Sequence, residues 1–537
     1  MNKVILLAIN AKYIHSSLSV WVIAEGVALY SRYSYDIRVV EATINQNVDE
    51  IIDMVAEHDP DIIGISSYIW NAGILPELLA ILRERLPKII IVLGGPEASN
   101  NIDFWLKNNA DYVLIGEGEY CFPEFLDSFV DKTKGHGDGS SVFCMTDEPS
   151  PCPEPSPCPD DYIKALNGRL SYIETSRGCP FRCAFCLSAG REVRYFPLEA
   201  VKEQILKLSQ ANTKTIKFVD RTFNCNADRA FEIIKYCIGL DTACIFHFEV
   251  AADLFDERTL LLLETAPHGR IQFEIGFQSF FKPSLEAVAR KMDFEKAVAN
   301  LRFLLKSQNI HIHIDLIAGL PYESLADFTE SFNLAYSLDT HTLQLGFLKL
   351  LHGSELRKQA DSFALKYSKE PPYEVISSPW LSSADIQVLK KTENALQNTR
   401  NKGRFISTLH YVLSATGYSP FALMHSIGVA LPNHGTQLED YIVLLYHFFR
   451  VLPGVDEDSL KDCMIFDWLG MVKGKNTPAF LKNNDERKKR VAEIAEKTLG
   501  WKLKREEYTV LCSGLGLFVD RNDYDVVARL NKVYLCG

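Results

Sequence analysis

Tyr172-Ile173-Glu174-Thr175-Ser176-Arg177-Gly178-Cys179-Pro180-Phe181-Arg182-Cys183-Ala184-Phe185-Cys186 reads as a short strand, 172–175, running straight into a loop that carries three cysteines. Cysteines at x3 and x2 spacing in one loop can wrap one face of an iron–sulfur cluster, because thiolates are the ligands such clusters use. A cubane has about four irons, so a three-ligand set leaves one iron open to chemistry. Gly178 permits tight backbone turning beside the first ligand. The competing readings are a structural zinc site and three unrelated core cysteines. Zinc wants four ligands in paired sets, and no fourth is evident nearby.

Outward from this loop, residues 170–358 alternate strand and helix patterns. Strands are expected at 172–175, 215–219, 245–250, 271–276, 312–317 and 343–348. About six parallel strands with helical crossovers make a full or partial β/α barrel. Residues 1–130 repeat the alternation, with apolar runs at 4–9, 37–40, 62–66, 89–93 and 112–115 and helical patterns at 19–30, 48–57 and 75–86. That order predicts a doubly wound, Rossmann-like parallel sheet, whose ligands lie beyond the carboxyl ends of the strands. Those ends carry Asn10, Ser66-Ser67, Gly94-Gly95-Pro96-Glu97 and Gly116-Glu117-Gly118-Glu119.

Residues 131–169 read as a flexible, Pro-rich linker. Within it, 148–159 is Glu-Pro-Ser-Pro-Cys-Pro twice over, an extended spacer by composition. Its Cys152 and Cys158 are taken as linker thiols. Residues 359–537 form a mostly helical C-terminal extension, with helices expected near 384–398 and 440–450. A basic run at 482–490, interleaved with acids, reads as a solvated helix face.

Composition sets the class. The 537 residues carry 57 Lys and Arg against 69 Asp and Glu, a net charge of −12. That balance argues against broad electrostatic capture of nucleic acid. Mean hydropathy is near zero and no apolar run approaches a membrane span. The apolar start reads as a buried strand and not as a signal peptide, so a cytoplasmic protein is expected. The 13 cysteines, an odd count unevenly spaced, suit ligands or buried thiols better than disulfides.

Cys-x3-Cys-x2-Cys with Phe185 just before the last cysteine, on a strand-to-helix loop, resembles the signature of the radical S-adenosylmethionine (SAM) superfamily. The resemblance implies a [4Fe–4S] cluster on Cys179, Cys183 and Cys186, whose open iron chelates the amino and carboxylate groups of SAM. Reductive cleavage then yields a 5′-deoxyadenosyl radical. It places Phe185, Asp220, Glu249, Glu274, Gln278 and Asp315 as SAM contacts. Asp220 lies in Phe218-Val219-Asp220-Arg221-Thr222-Phe223-Asn224, where the family contacts the SAM amino group. Gln278 lies in Phe273–Ser279, and Asp315 in the segment from His313 to Pro321 that ends Gly319-Leu320-Pro321.

A doubly wound domain ahead of such a barrel resembles the cobalamin-binding subgroup, whose attached domain of unknown function the C-terminal extension also resembles. That implies cobalamin contacts at Ser66, Ser67, Gly94, Gly95, Gly116 and Glu117. The usual Asp-x-His-x-x-Gly after the first strand is replaced by Asn10-Ala11-Lys12-Tyr13-Ile14-His15, so cobalt without a protein histidine ligand is implied.

The function expected is a cobalamin-dependent methyltransferase acting on an unactivated carbon of a small molecule or peptide, supplied with electrons by a flavodoxin or ferredoxin. The alternatives are a cobalamin-dependent radical cyclase or rearrangement enzyme, and a non-catalytic cobalamin and iron–sulfur sensor. A tRNA methylthiotransferase needs three further cysteines in its first domain, where this chain has only Cys121.

Overall fold

The computed structural model describes residues 2–133, 142–144, 160–432, 436–471, 477–482 and 485–537. The first sheet is wholly parallel, with strands β1 (Lys3–Asn10), β2 (Asp36–Thr43), β3 (Ile62–Ser66), β4 (Ile90–Gly94), β5 (Tyr112–Ile115) and β6 (Val142–Cys144) in the order β2-β1-β3-β4-β5-β6. Burial along β1 explains the architecture. Val4, Leu6 and Ala8 enter one core, with Val20, Val27, Phe122 and Leu126. Ile5, Leu7 and Ile9 enter the other, with Ile51, Leu78, Leu79 and Leu82. Both faces are therefore covered by helices, as parallel strands require, and each buried aliphatic side chain contributes about 1.5–3 kcal/mol. Helix Leu18–Tyr30 meets helix Gly118–Thr133 at Gly26, where an added Cβ would lie 2.3 Å from the Glu119 carbonyl oxygen.

The span expected to be linker is partly built into the fold. Val142–Cys144 is the sixth strand, and helix Asp160–Leu166 buries Tyr162 completely, with its hydroxyl receiving the Tyr172 N–H at 2.9 Å. Three residues, two of them β-branched or aromatic, suffice for an edge strand once a paired neighbour is in place. The hexapeptide repeat, with Cys152 and Cys158, lies outside the described residues.

The second sheet holds β7 (Ser171–Ile173), β10 (Thr215–Phe218), β11 (Ile245–Val250), β12 (Ile271–Gln278), β13 (His311–Ala318) and β14 (Thr342–Phe347), in the order β14-β13-β12-β11-β10-β7. It is an open parallel sheet with edges at β7 and β14, a partial barrel. Between β7 and β10 comes an antiparallel hairpin, β8 (Ser176–Cys179) with β9 (Arg191–Tyr195), absent from the sequence expectation. Along β10 to β13 alternate residues are fully buried and apolar, whereas those between are half-buried and mostly polar: Lys217, His247, Glu249, Glu274, Gln278, His313, Asp315. A polar face on an otherwise apolar sheet is what a cofactor-lined barrel interior requires.

By internal contacts the chain forms two units. The first is residues 1–263 with 288–292 and 348–376; the second is 264–287, 293–347 and 377–537. The extension is helical as expected, including Ser383–Asn398 and Leu438–Phe449, but it ends in an antiparallel sheet of β17 (Tyr508–Val510), β18 (Gly516–Asp525) and β19 (Leu530–Cys536), after the small pair β15 (Lys366–Tyr367) and β16 (Val375–Ser377). No helix among the described residues is long and apolar enough to cross a membrane.

Candidate cluster, SAM and corrinoid site

The hairpin delivers the first cysteine. Gly178 has φ +101°, and a Cβ there would lie 2.1 Å from the Glu192 carbonyl oxygen, so only glycine closes this turn. Cys179 and Cys183 are buried, Cys186 is half-buried, and all three are free thiols. The loop is held by Gly190 N–H to Phe181 O at 2.7 Å, Ala184 N–H to Val288 O at 2.9 Å and Leu356 N–H to Ala184 O at 2.8 Å. Each sulfur has a polar neighbour. Arg290 Nη1 donates to Cys183 Sγ at 3.7 Å, Ser188 N–H to Cys186 Sγ at 3.4 Å, and Thr222 Oγ1 lies 3.6 Å from Cys179 Sγ. Burial pushes the Cys186 thiol up, and the neighbouring Cys183 and Cys179 add to the shift. Three thiols on one turn, each with a polar neighbour at its sulfur, fit a cationic cluster that takes thiolates as ligands. Phe185 is half-buried between the last two cysteines' turns.

Asp220 is fully buried, and both its oxygens are engaged: Oδ2 accepts from Thr175 N–H at 3.0 Å, and Oδ1 from Thr175 Oγ1 at 2.7 Å and Ser176 Oγ at 2.5 Å. Its contacts clamp the strand-to-hairpin junction, two residues before the cysteine turn. Burial raises its pKa while these donors oppose the rise. Glu249 stands at the end of β11 with Lys217 Nζ 3.8 Å away.

In the second unit Glu274, His313 and Asp315 converge, with one ligand atom from each lying within 4.8 Å of the others, and His313 Nε2 lies 2.8 Å from Asp315 Oδ1. Gln278 follows a bulge in β12 and has φ +70°. Its Oε1 is buried with no hydrogen-bond partner, an arrangement that is expensive unless a ligand donates to it. Behind it, Ser279 Oγ donates to Glu323 at 2.5 Å, and burial pushes that carboxyl up to about 8.

At the carboxyl edge of the first sheet, Ser66 is half-buried, whereas Ser67 is fully buried and internally committed: its hydroxyl donates to Gly94 O and accepts from Ala98 N–H, both at 2.8 Å. A Cβ at Gly94 would meet nothing within 4 Å, leaving open space above the backbone; at Gly95, with φ +97°, it would strike Ser67 O. Gly116 is exposed with φ +120°. Tyr68 and Trp70 stack at 4.3 Å on the same edge, and the Trp70 indole donates to Ile9 O at 3.1 Å. An accessible, glycine-opened edge with an aromatic ledge fits a large flat ligand. His15 Nδ1 lies 2.5 Å from Tyr172 Oη, so this histidine is engaged by the neighbouring domain.

The first sheet is tied at three places to later segments of the first unit. In the loop after β1, Ser16 Oγ donates to Leu170 O, and on β2 the half-buried Glu41 pairs with Arg169 at 2.9 Å. After β4, Tyr373 Oη donates to Glu97 at 2.6 Å. After β5, Glu117 and Glu119 reach Arg177 at 2.6 and 2.5 Å. Sequence reasoning passed over Glu41, Arg169, Arg177, Arg290 and Glu323. Each is an ordinary charged residue in the chain, and its meaning comes from partners more than forty positions away or from burial.

Residues 4–126 match the family model described as B12 binding domain, 173–335 the radical SAM superfamily, and 361–509 a family described as a protein of unknown function (DUF4080). The chain is 24% identical over 356 residues to an uncharacterized methyltransferase of Pyrococcus horikoshii, covering 61% of this chain and 76% of that one. It is 26% identical over 329 residues to the 2-(S-pantetheinyl)-carbapenam-3-carboxylate methyltransferase of Streptantibioticus cattleyicolor, covering 55% of this chain and 47% of the other. It thus spans about three quarters of the first relative and about half of the second. Among solved structures, the cobalamin-dependent SAM radical enzyme OxsB, with aqua-cobalamin and SAM bound, shares the fold with a TM-score of 0.57 at 15% identity, over 87% of this chain and 78% of that one.

Proposed function

We propose that this chain, which belongs to the radical SAM superfamily and carries a B12-binding domain ahead of its radical SAM domain, is a cobalamin-dependent methyltransferase acting on an unactivated carbon. The observation that supports it most is the meeting, within one unit, of three thiols on a single turn with an open ligand edge tied to that turn through Arg177. When bound, the [4Fe–4S] cluster supplies the electron that cleaves SAM, and cobalamin supplies the transferable methyl group.

The protein's own share is binding, orientation and exclusion of water. Cys179, Cys183 and Cys186 hold the cluster. Arg290 and the Ser188 N–H offset thiolate charge, and the Arg290 guanidinium matches the carboxylate of SAM. Phe185, Asp220, Glu249, Glu274, Gln278 and Asp315 are the SAM contacts, and Asp220 also clamps the strand-to-hairpin junction. Ser66, Gly94, Gly95, Gly116 and Glu117 face the corrinoid, and Ser67 shapes the backbone under it. The substrate is a small molecule or peptide, the reductant a flavodoxin or ferredoxin, and the compartment the cytoplasm.

The test is anaerobic reconstitution with iron, sulfide and cobalamin, followed by reduction with SAM present. We expect 5′-deoxyadenosine and, with substrate, a SAM-derived methyl group. Cys179→Ala, Cys183→Ala and Cys186→Ala each abolish SAM cleavage while corrinoid absorption stays; loss of the corrinoid with the cluster would refute the division of labour.

A further inference from the structure

We infer that Arg177 is a positioning residue that joins the corrinoid loop to the cluster hairpin, so that filling the first site alters the second; this rests on the proposed cofactors. Each of its three nitrogens has a carboxylate neighbour. Its Nη1 lies 2.6 Å from Glu117, its Nη2 2.5 Å from Glu119 and its Nε 2.9 Å from Glu174. Arg194, its cross-strand partner in the hairpin, also reaches Glu117. Two guanidiniums side by side on paired strands repel each other unless carboxylates separate them, and Glu117 does so.

The set is largely withdrawn from water, with side-chain exposure of 18% for Arg177 and 12% for Glu119. Buried charges of this kind persist only when every partner is in place, which makes the geometry narrow. Both ends of the bridge are anchored. The Glu119 backbone packs so close to Gly26 that a Cβ there would lie 2.3 Å from its carbonyl oxygen, and Arg177 precedes the Gly178 turn that delivers Cys179. Glu117 lies between Gly116 and Gly118 on the loop that borders the open edge. A corrinoid seated there constrains the Glu117 backbone, and the constraint passes through one side chain to the first cluster ligand.

Lysine cannot replace this arginine. It brings one nitrogen where three separate carboxylates need three. In Arg177→Lys the cysteines and the glycine edge are untouched, so iron, sulfide and corrinoid absorption remain. What changes is communication. In the wild-type protein, reduced and carrying the cluster, adding hydroxocobalamin shifts the electron paramagnetic resonance (EPR) signal of the cluster; in Arg177→Lys the shift is lost. Abortive 5′-deoxyadenosine formation without substrate rises several-fold relative to wild type. Glu119→Gln, which keeps the shape and removes one charge, gives an intermediate shift and guards against a folding defect in the first variant. An Arg177→Lys protein whose signal moves as far as wild type overturns the inference, as does a wild-type cluster indifferent to bound cobalamin. A wild-type protein that takes up no iron or no corrinoid instead overturns the cofactor assignment on which it rests.

Discussion

Glu323 shows how much of the site's chemistry is decided by a single environment. Its carboxyl is 1% exposed, and burial raises its pKa from 4.5 to about 8 despite the hydroxyls of Ser279 and Ser331. The native state therefore holds a proton that the unfolded chain gives up near pH 4.5. Stability contributed by this group is complete below that value, declines as pH rises toward 8, and is lost above it, by a few kcal/mol in order of magnitude. Glu323→Gln, neutral at every pH, removes that slope. Thermal melts of the two proteins at pH 5, 7 and 9 should converge at the acid end and favour the variant at the alkaline end; parallel curves would show that Glu323 is ionised in the folded protein. Asp220 carries the complementary lesson. The motif that flags it is legible, but its role depends on which way it faces, and both oxygens face Thr175 and Ser176.

Elements were legible where burial is periodic. The runs at 62–66, 112–115 and 245–250 coincide with β3, β5 and β11, because apolar residues at those positions are buried on both faces or on alternate ones. The β8–β9 hairpin was not, since Arg191-Glu192-Val193-Arg194-Tyr195 is as polar as a loop and owes its extended form to its partner strand and to Glu117. The C-terminal sheet was missed for a similar reason: β18 changes from Leu517-Phe518-Val519 to the charged stretch Asp520–Asp525 across a register shift, which breaks the alternation. The hairpin turn gives a direct check. Gly178→Ala combines φ +101° with a Cβ 2.1 Å from a backbone oxygen, whereas at Gly190, φ +66°, the nearest atom is the Arg182 Cγ at 3.6 Å. We expect Gly178→Ala to cost more than about 3 kcal/mol and to lose the cluster, and Gly190→Ala to cost about 1 kcal/mol and keep it. Urea unfolding with iron content measures both, and equal effects would contradict the close-approach argument.

At the scale of the molecule, the first sheet is tied within one unit to later parts of the chain at three places, Glu41 on β2 to Arg169, Glu97 after β4 to Tyr373 and Glu117 after β5 to Arg177. The identity of the domains was readable from motif and element order; the manner of their joining was not, because each tie pairs residues from distant parts of the chain. The proposed function depends on that joining, since its methyl donor and radical source must address one substrate. All of it presupposes a cluster with one iron left for SAM. The most direct measurement is the iron and sulfide content of anaerobically prepared protein, with the EPR spectrum of its reduced form before and after SAM is added. About four irons and four sulfides per chain, with a signal that changes when SAM binds, is the predicted result; zinc at the three cysteines, or a cluster whose signal ignores SAM, would contradict it.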